Sequence, residues 1–124
     1  MTKRIKITTG ALTFAGELND SSTAAAIWSA LPLEGAANRW GDEFYLSIPV
    51  SASPEDGARE EMEVGELAYW PPGNAFCVFF GPTPASRDTE PRAASACNPV
   101  GMILTGEEGL REIPHGATFR IERA

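Results

Sequence analysis

The chain has 124 residues, 43% of them apolar, and its 17 acidic and 10 basic side chains give a net charge of −7. The acidic balance argues against nucleic acid or an anionic membrane as partner, because both require a clustered positive surface. No apolar run approaches the roughly 20 residues of a membrane span, and MTKRIKITTG lacks the unbroken apolar stretch of a signal peptide, so we expect a cytoplasmic protein.

This length fits one domain over residues 1–124 with a sizeable core. Glycine and proline together make up 22 residues, 12 and 10 respectively, which indicates many short elements joined by turns. Such a composition favours a mostly β barrel or sandwich over a helical bundle.

The first predicted element is a β-hairpin. Residues 3–9 and 11–18 alternate apolar with polar or small side chains, and Gly10 between them suits a tight turn.

The spacing of the apolar residues then changes after residues 19–21, whose side chains suit a helix N-cap. A helix ending near Ala30 is predicted, because one helical stripe carries the apolar residues Ala24, Ile27, Trp28 and Leu31. Covering an open end of a barrel is a natural role for such a helix.

Further short strands are predicted at residues 33–40, 43–50, 66–70 and 118–122. In the second of these, alternation directs Phe44 inward and Glu43 outward. Residues 51–64 are acidic and are predicted to be a solvated excursion rather than a cation site. A single helical turn is predicted around Leu110 and Ile113, so the total is seven or eight strands with one or two short helices.

The chain is organised around two strongly apolar strand candidates, Ala75–Phe80 and Val100–Leu104. The intervening segment, Gly81–Pro99, is polar and contains four prolines. Loops longer than about 12–15 residues in a compact domain are usually functional or disordered, so we interpret this segment as a displayed loop held by two core strands. Repeated proline lowers the entropy that such a loop loses on ordering.

Few residues suggest covalent or metal chemistry. His115, the single histidine, lies in a predicted turn and has no second ligand at zinc spacing. Cys77 is interpreted as a small buried hydrophobe and Cys97 as a residue of the loop that could be exposed, with a bridge between them left open. Neither a phosphate-binding glycine motif nor a nucleophile elbow is present, and we expect no cofactor and no metal.

The best candidate site is the loop with its flanks, where apolar walls and a few polar groups suit a small ligand or a short peptide segment. Eight residues form this predicted site: Tyr69, Trp70, Asn74, Phe80, Thr83, Ser86, Arg92 and Asn98. The aromatic side chains would give apolar contact, the amides and hydroxyls would orient the ligand, and Arg92 would meet an acidic or carbonyl group. In the alternative, the amides and prolines build turns, while the arginines pair with Asp88 and Glu90.

Three stretches carry a resemblance: GELAYWPPGNAFCVFFGPTPASRDTEPRAASACNPVGMI, GDEFYLSIPV and LNDSSTAAAIWSALPL. Together they resemble a family of small, mostly uncharacterised prokaryotic proteins with a cyclophilin-like fold. The resemblance implies a closed β-barrel of about eight strands with helices capping its ends.

Cyclophilins are peptidyl-prolyl isomerases, so a rearranged isomerase site is the alternative function. Their strand pattern RxxxxFMIQGGD is absent, so no catalytic residue carries over to this chain, although Arg39 and Arg92 are available as donors. The leading expectation is ligand or peptide binding without covalent chemistry, and a structural module that forms homo-oligomers through the loop is the third possibility.

Overall fold

A computed structural model describes residues 3–124, in which ten strands form one antiparallel sheet. The strands are β1 (Lys3–Thr9), β2 (Leu12–Leu18), β3 (Leu33–Ala36), β4 (Asn38–Arg39), β5 (Glu43–Ser47), β6 (Arg59–Glu61), β7 (Glu66–Trp70), β8 (Ala75–Phe79), β9 (Arg92–Thr105) and β10 (Thr118–Arg123). Helix α1 spans Ser22–Ala30, and 3-10 turns lie at Pro71–Gly73 and Glu107–Glu112. Neighbouring strands follow the order β3-β10-β1-β2-β9-β7-β8-β5-β4, and β6 pairs separately with β9. No helix in this part of the chain is long and apolar enough to cross a membrane.

The predicted mostly β architecture is confirmed, but a closed barrel overstates it. The ladder of hydrogen bonds begins at β3 and ends at β4, and these two edge strands are joined by the chain itself, through Ala37 alone. The backbone of Ala37 continues the pairing of β3 with β10, since its N–H donates to the carbonyl of Ala117 at 2.9 Å and its carbonyl accepts from the N–H of Gly116 at 2.8 Å. Inside, Phe44 of β5 packs against Phe119 of β10 with ring centroids 5.0 Å apart. The sheet therefore wraps around one core while its two edges meet through chain connectivity rather than through a ladder.

The N-terminal hairpin and the helix form as predicted. Gly10 takes φ +59° at the turn, a left-handed conformation that glycine adopts without strain. Ser21 caps α1 by accepting a hydrogen bond from the N–H of Ala24 at 3.1 Å, and Ile27 is fully buried in the main core. The helix ends at Ala30, just before the Leu31-Pro32 pair.

The two central strands are confirmed, but the long displayed loop is wrong in its second half. Strand β9 starts at Arg92, so only residues 81–91 of the predicted loop lie outside a strand. Pro99 lies inside β9 opposite Ala68, at an irregularity in the register with β7. Proline is tolerated at such bulges, because no ladder hydrogen bond requires its missing N–H. Cys97, expected in a loop, is fully buried in this strand as a free thiol.

The acidic excursion is exposed as predicted over Arg59–Glu61, but these residues form β6 and pair with the first half of β9. Met62 beside them is only 3% exposed. Together, β6 and the start of β9 cover the outer face of the sheet, where they create a second apolar cluster separate from the main core. That cluster contains Met62, Ala68, Ala75, Cys77, Phe79, Ala93 and Cys97, with Tyr45 and Trp70 packed against it.

Candidate functional site

A cavity of about 220 Å³ opens on the outer face of the sheet, beside the second apolar cluster. Its lining residues come from the connection between β4 and β5, from β5, from β7 and from the start of β9: Trp40, Glu43, Tyr45, Trp70, Ala93, Ala94 and Cys97. The strands have positioned these side chains by simple alternation. Phe44 and Leu46 of β5 enter the main core, so Glu43 and Tyr45 face the other side.

Aromatic rings dominate the wall of this cavity. The rings of Tyr45 and Trp70 lie with centroids 6.4 Å apart and planes inclined by 67°, so they meet like two sides of a corner. The indole Nε1–H of Trp70 donates to Ser95 Oγ at 2.7 Å, which fixes the ring. Gly73 leaves room for it, because a Cβ at this position would lie 2.8 Å from Trp70 Cε3. The aromatic corner is therefore preorganised.

Glu43 is the one acidic residue of the lining, and it is only 5% exposed. Its Oε1 has no hydrogen-bond partner among residues 3–124. Burial raises the pKa of Glu43 to about 8, while hydrogen bonding with the neighbouring Cys77 thiol opposes the shift. The carboxyl is thus protonated at neutral pH, as expected for an acid removed from water without a cationic partner.

Two thiols lie beside this carboxyl. Hydrogen bonding with Cys97, and then burial, raise the pKa of the Cys77 thiol well above its ordinary value. A thiol held neutral in this way is a poor nucleophile, because the thiolate is the reactive form. The described residues also contain no group of three or more His, Cys, Asp or Glu side chains arranged to hold a metal ion. The arrangement therefore supports recognition by shape, aromatic contact and one buried acid.

Of the eight residues predicted from sequence, only Trp70 lines this cavity. Tyr69 is fully buried in the main core, and its hydroxyl donates to the carbonyl of Val50 at 2.5 Å. It also lies 3.1 Å from Oδ1 of Asn74, which takes a left-handed conformation at φ 46° to end a 3-10 turn. Phe80 is likewise buried in the main core.

Asn98 is fully buried and joins three parts of the chain. Its Oδ1 accepts from the N–H of Glu55 at 2.9 Å, and its Nδ2 donates to Thr23 Oγ1 at 3.1 Å and to the carbonyl of Ser53 at 3.0 Å. These bonds tie the 51–58 segment and the start of α1 to β9. Asn98 thus has a structural position, and none of these three partners lines the aromatic cavity.

Thr83, Ser86 and Arg92 meet around the 81–91 connection. The hydroxyl of Thr83 donates to the carbonyl of Arg92 at 2.5 Å, and Ser86 Oγ accepts from the N–H of Thr83 at 2.8 Å. Arg92 binds Glu90 at 2.9 Å, and hydrogen bonds from the backbone of Arg87 and from the Arg92 side chain lower the pKa of Glu90 to about 2. These contacts match the turn-building alternative, and a role of these three residues in binding stays a prediction.

The two arginines considered as isomerase donors are both engaged within the fold. Arg92 pairs with acidic side chains, and Arg39 donates through Nη1 to the carbonyls of Arg111 at 3.0 Å and Ile113 at 3.2 Å. Arg39 Nη2 also pairs with Asp42 at 3.2 Å. His115 is exposed, as expected for a turn, and its Nδ1 accepts from the backbone N–H of Arg39 at 3.0 Å. Arg39 and His115 thus hold the segment beside the junction of β3 and β4, whereas Arg92 lies at the start of β9.

Sequence reasoning missed Trp40, Glu43 and Tyr45. The available signal was the composition of β8, which is apolar on both faces. Cys77 and Phe79 lie on its outer face, where a strand exposed to solvent would carry polar side chains. A strand that is apolar on both sides implies a second covering layer. The cover is formed by the start of β9, which the sequence presented as a loop.

Comparison with known proteins places this chain among relatives. The family model described as cyclophilin-like matches residues 3–122. The chain is also similar to a hypothetical protein from Archaeoglobus fulgidus whose solution structure is known. The two sequences are 40% identical, and the two structures superpose with a TM-score of 0.84. The alignment covers 99% of this chain and 95% of that one. No curated protein sequence matches significantly.

Proposed function

Because the chain belongs to the cyclophilin-like family, matched over residues 3–122, we propose that it binds a small organic ligand, or one side chain of a short peptide, in the aromatic cavity. This cavity lies under the start of β9, the segment that the sequence presented as the second half of the loop. The observation that carries the proposal is the buried carboxyl of Glu43 within an aromatic lining, where its Oε1 has no hydrogen-bond partner among residues 3–124.

The size and chemistry of the cavity support this function. Ligand pockets of about 300–1,000 Å³ suit drug-sized molecules, so a cavity of about 220 Å³ suits a smaller ligand or a single side chain. The combination of apolar walls with one convergent polar group is typical of such sites, where apolar area supplies affinity and the polar group fixes orientation. No covalent step is required of Glu43, Cys77 or Cys97.

The experiment is a titration of the ¹⁵N-labelled protein with a panel of fragments, comprising neutral aromatic compounds, amides and ammonium salts. The indole N–H signals of Trp40 and Trp70 are expected to shift. The signal of Trp28 should stay in place, because this residue lies on α1 outside the lining and stacks with Arg123 of β10. A fragment panel that leaves the first two signals unmoved contradicts the proposal.

A matched pair of variants locates the binding. Ala94 is exposed and lines the cavity, so Ala94→Trp fills the opening without disturbing the core. Ala96 is exposed on the same strand but is not part of the lining, which makes Ala96→Trp the control. We expect the first variant to lose binding and the second to retain it. Equal affinity in both variants would place the ligand elsewhere.

A further inference from the structure

We propose that the ligand of the aromatic cavity is an organic ammonium ion, with the carboxylate of Glu43 as its counter-ion and the rings of Trp40, Tyr45 and Trp70 as its cage. This inference rests on the proposed binding function of the cavity. It adds the chemical class of the ligand and a coupling between binding and proton release.

The first observation is that Glu43 is buried without an ionic partner among the described residues. It is 5% exposed, its Oε1 has no hydrogen-bond partner among residues 3–124, and it belongs to none of the ion pairs found in that range. Burying a polar group without a partner costs free energy, typically about 1–3 kcal/mol for a neutral group and more for a charged one. A cationic ligand removes this cost by pairing with the carboxylate.

The second observation is the state of the rings. Four arginine–aromatic contacts occur among the described residues, and they use Phe44, Phe80 and Trp28. Within that same range no arginine or lysine stacks on the rings that line the cavity. Aromatic faces attract cations, with a gain of about 0.5–1 kcal/mol at exposed sites and about 2 kcal/mol or more when the cation is desolvated. No cationic side chain of the described residues therefore competes with a cation from solution for these rings.

The other ligand classes fit less well. An anion would meet aromatic faces of the same sign, a protein of net charge −7 and a lining without any basic side chain. A neutral ligand would satisfy the protonated carboxyl through one hydrogen bond, but it would gain nothing from the electrostatic potential of the ring faces. An ammonium ion uses both the rings and the acid.

The titratable groups near Glu43 include no basic side chain. They are the Cys77 thiol from β8, the Cys97 thiol from β9 and the Tyr45 phenol from its own strand β5. Cys77 has a raised pKa and stays protonated, so no described neighbour supplies a charge that compensates the ionised carboxyl. A bound ammonium ion supplies that charge, and the proton of Glu43 leaves to the buffer when the ion enters.

This coupling sets the pH dependence. With a pKa of about 8 in the empty cavity, the ionised fraction of Glu43 is about 1% at pH 6 and about 90% at pH 9. Affinity for a cation that requires the carboxylate therefore rises about 90-fold over this interval. At pH 7 each binding event releases about 0.9 proton.

The test compares choline with 3,3-dimethylbutan-1-ol, its uncharged isostere, by isothermal titration calorimetry at pH 6, 7 and 9. Titration at pH 7 in two buffers of different ionisation enthalpy counts the protons released. We expect choline to bind more tightly than the isostere at pH 9, and to show the rise in affinity with pH and the proton release. The isostere should show neither.

Glu43→Gln keeps the shape of the side chain and removes its ability to ionise. We expect it to weaken choline binding at pH 9 about 30-fold or more and to abolish the pH dependence, because one member of a buried charge pair is lost. The isostere should bind this variant as it binds the original protein. Glu34→Gln is the control, since Glu34 is exposed on β3.

Two outcomes overturn the inference and are distinct from a failure of the proposed function. If the isostere binds in the cavity as tightly as choline, or if choline binds without proton release, the cavity is a ligand site but not an ammonium site. If fragments of every class leave the Trp40 and Trp70 signals unmoved, the proposed function itself fails.

Discussion

Replacing Glu43 with Gln should change how the stability of the protein depends on pH, even without a ligand. The pKa of Glu43 is about 8 in the folded protein, against an ordinary value of 4.5. Below pH 4.5 the carboxyl is protonated in both the folded and the unfolded chain, so it exerts no pH effect. Between 4.5 and 8 the unfolded chain ionises first, and the free energy of unfolding falls as pH rises.

The expected size follows from the shift. Each pH unit between the two pKa values corresponds to about 1.4 kcal/mol, so the contribution of Glu43 falls by about 3–4 kcal/mol from pH 5 to pH 8. This is a large share of the 5–15 kcal/mol typical of a domain. A glutamine at position 43 cannot ionise and has no such slope. Glu43→Gln should therefore unfold at higher denaturant concentration than the original protein at pH 8, with the advantage shrinking towards pH 5.

The measurement is urea unfolding of both proteins at pH 5, 6.5 and 8, followed by tryptophan fluorescence. The difference between their free energies of unfolding isolates position 43, because other titrating groups are common to both. Glu90, whose pKa is lowered to about 2, changes stability only below pH 4.5 and does not contribute in this range. Glu34→Gln should remain parallel to the original protein. If Glu43→Gln does so too, the carboxyl is already ionised or hydrated in the folded state, and the reasoning about the cavity fails.

Two further predictions concern how β9 is held. Asn98→Ala should lower the free energy of unfolding by about 3 kcal/mol in the same assay, because it removes three hydrogen bonds from a fully buried position. The control is Asn38→Ala, which should change the free energy of unfolding little because Asn38 is exposed. Gly101→Ala should destabilise the β2–β9 pairing strongly, since a Cβ would lie 2.1 Å from the carbonyl oxygen of Glu17; Gly57→Ala, with nothing within 4 Å, is its control by thermal unfolding.

Local periodicity predicts the elements whose partners are close in sequence. The hairpin around Gly10 and the helix capped by Ser21 depend on alternation, a turn residue and an N-cap, and all of these are visible in a single stretch. The edge junction at Ala37 is different, because no pattern in residues 33–39 shows that β3 and β4 join opposite ends of the sheet. The closed barrel was predicted only from the resemblance to a barrel family. In the structure the two edge strands are connected by the chain at Ala37 and not by a hydrogen-bonded ladder.

The first half of β9 was not predicted as a strand, because its small side chains give no clear alternation of apolar and polar residues. The run RAASAC has no large apolar side chain, and the proline at position 99 argues locally against a strand. What makes it a strand is pairing with β6 and contact between Ala93, Cys97 and the outer face of β8. Small side chains are required there, because larger ones would fill the space that forms the cavity.

Glu43 shows why the candidate site was not visible in the sequence. Its outward direction was predicted correctly by alternation, and an outward acid on a strand is ordinarily solvated. Its burial depends on whether another layer covers that face, which is decided more than 40 residues later by the start of β9. The same covering layer that removes the carboxyl from water also supplies Ala93, Ala94 and Cys97 to the lining. Burial of the acid and formation of the cavity are therefore one structural event, so a variant that detaches β9 should abolish binding and return the pKa of Glu43 towards 4.5 together.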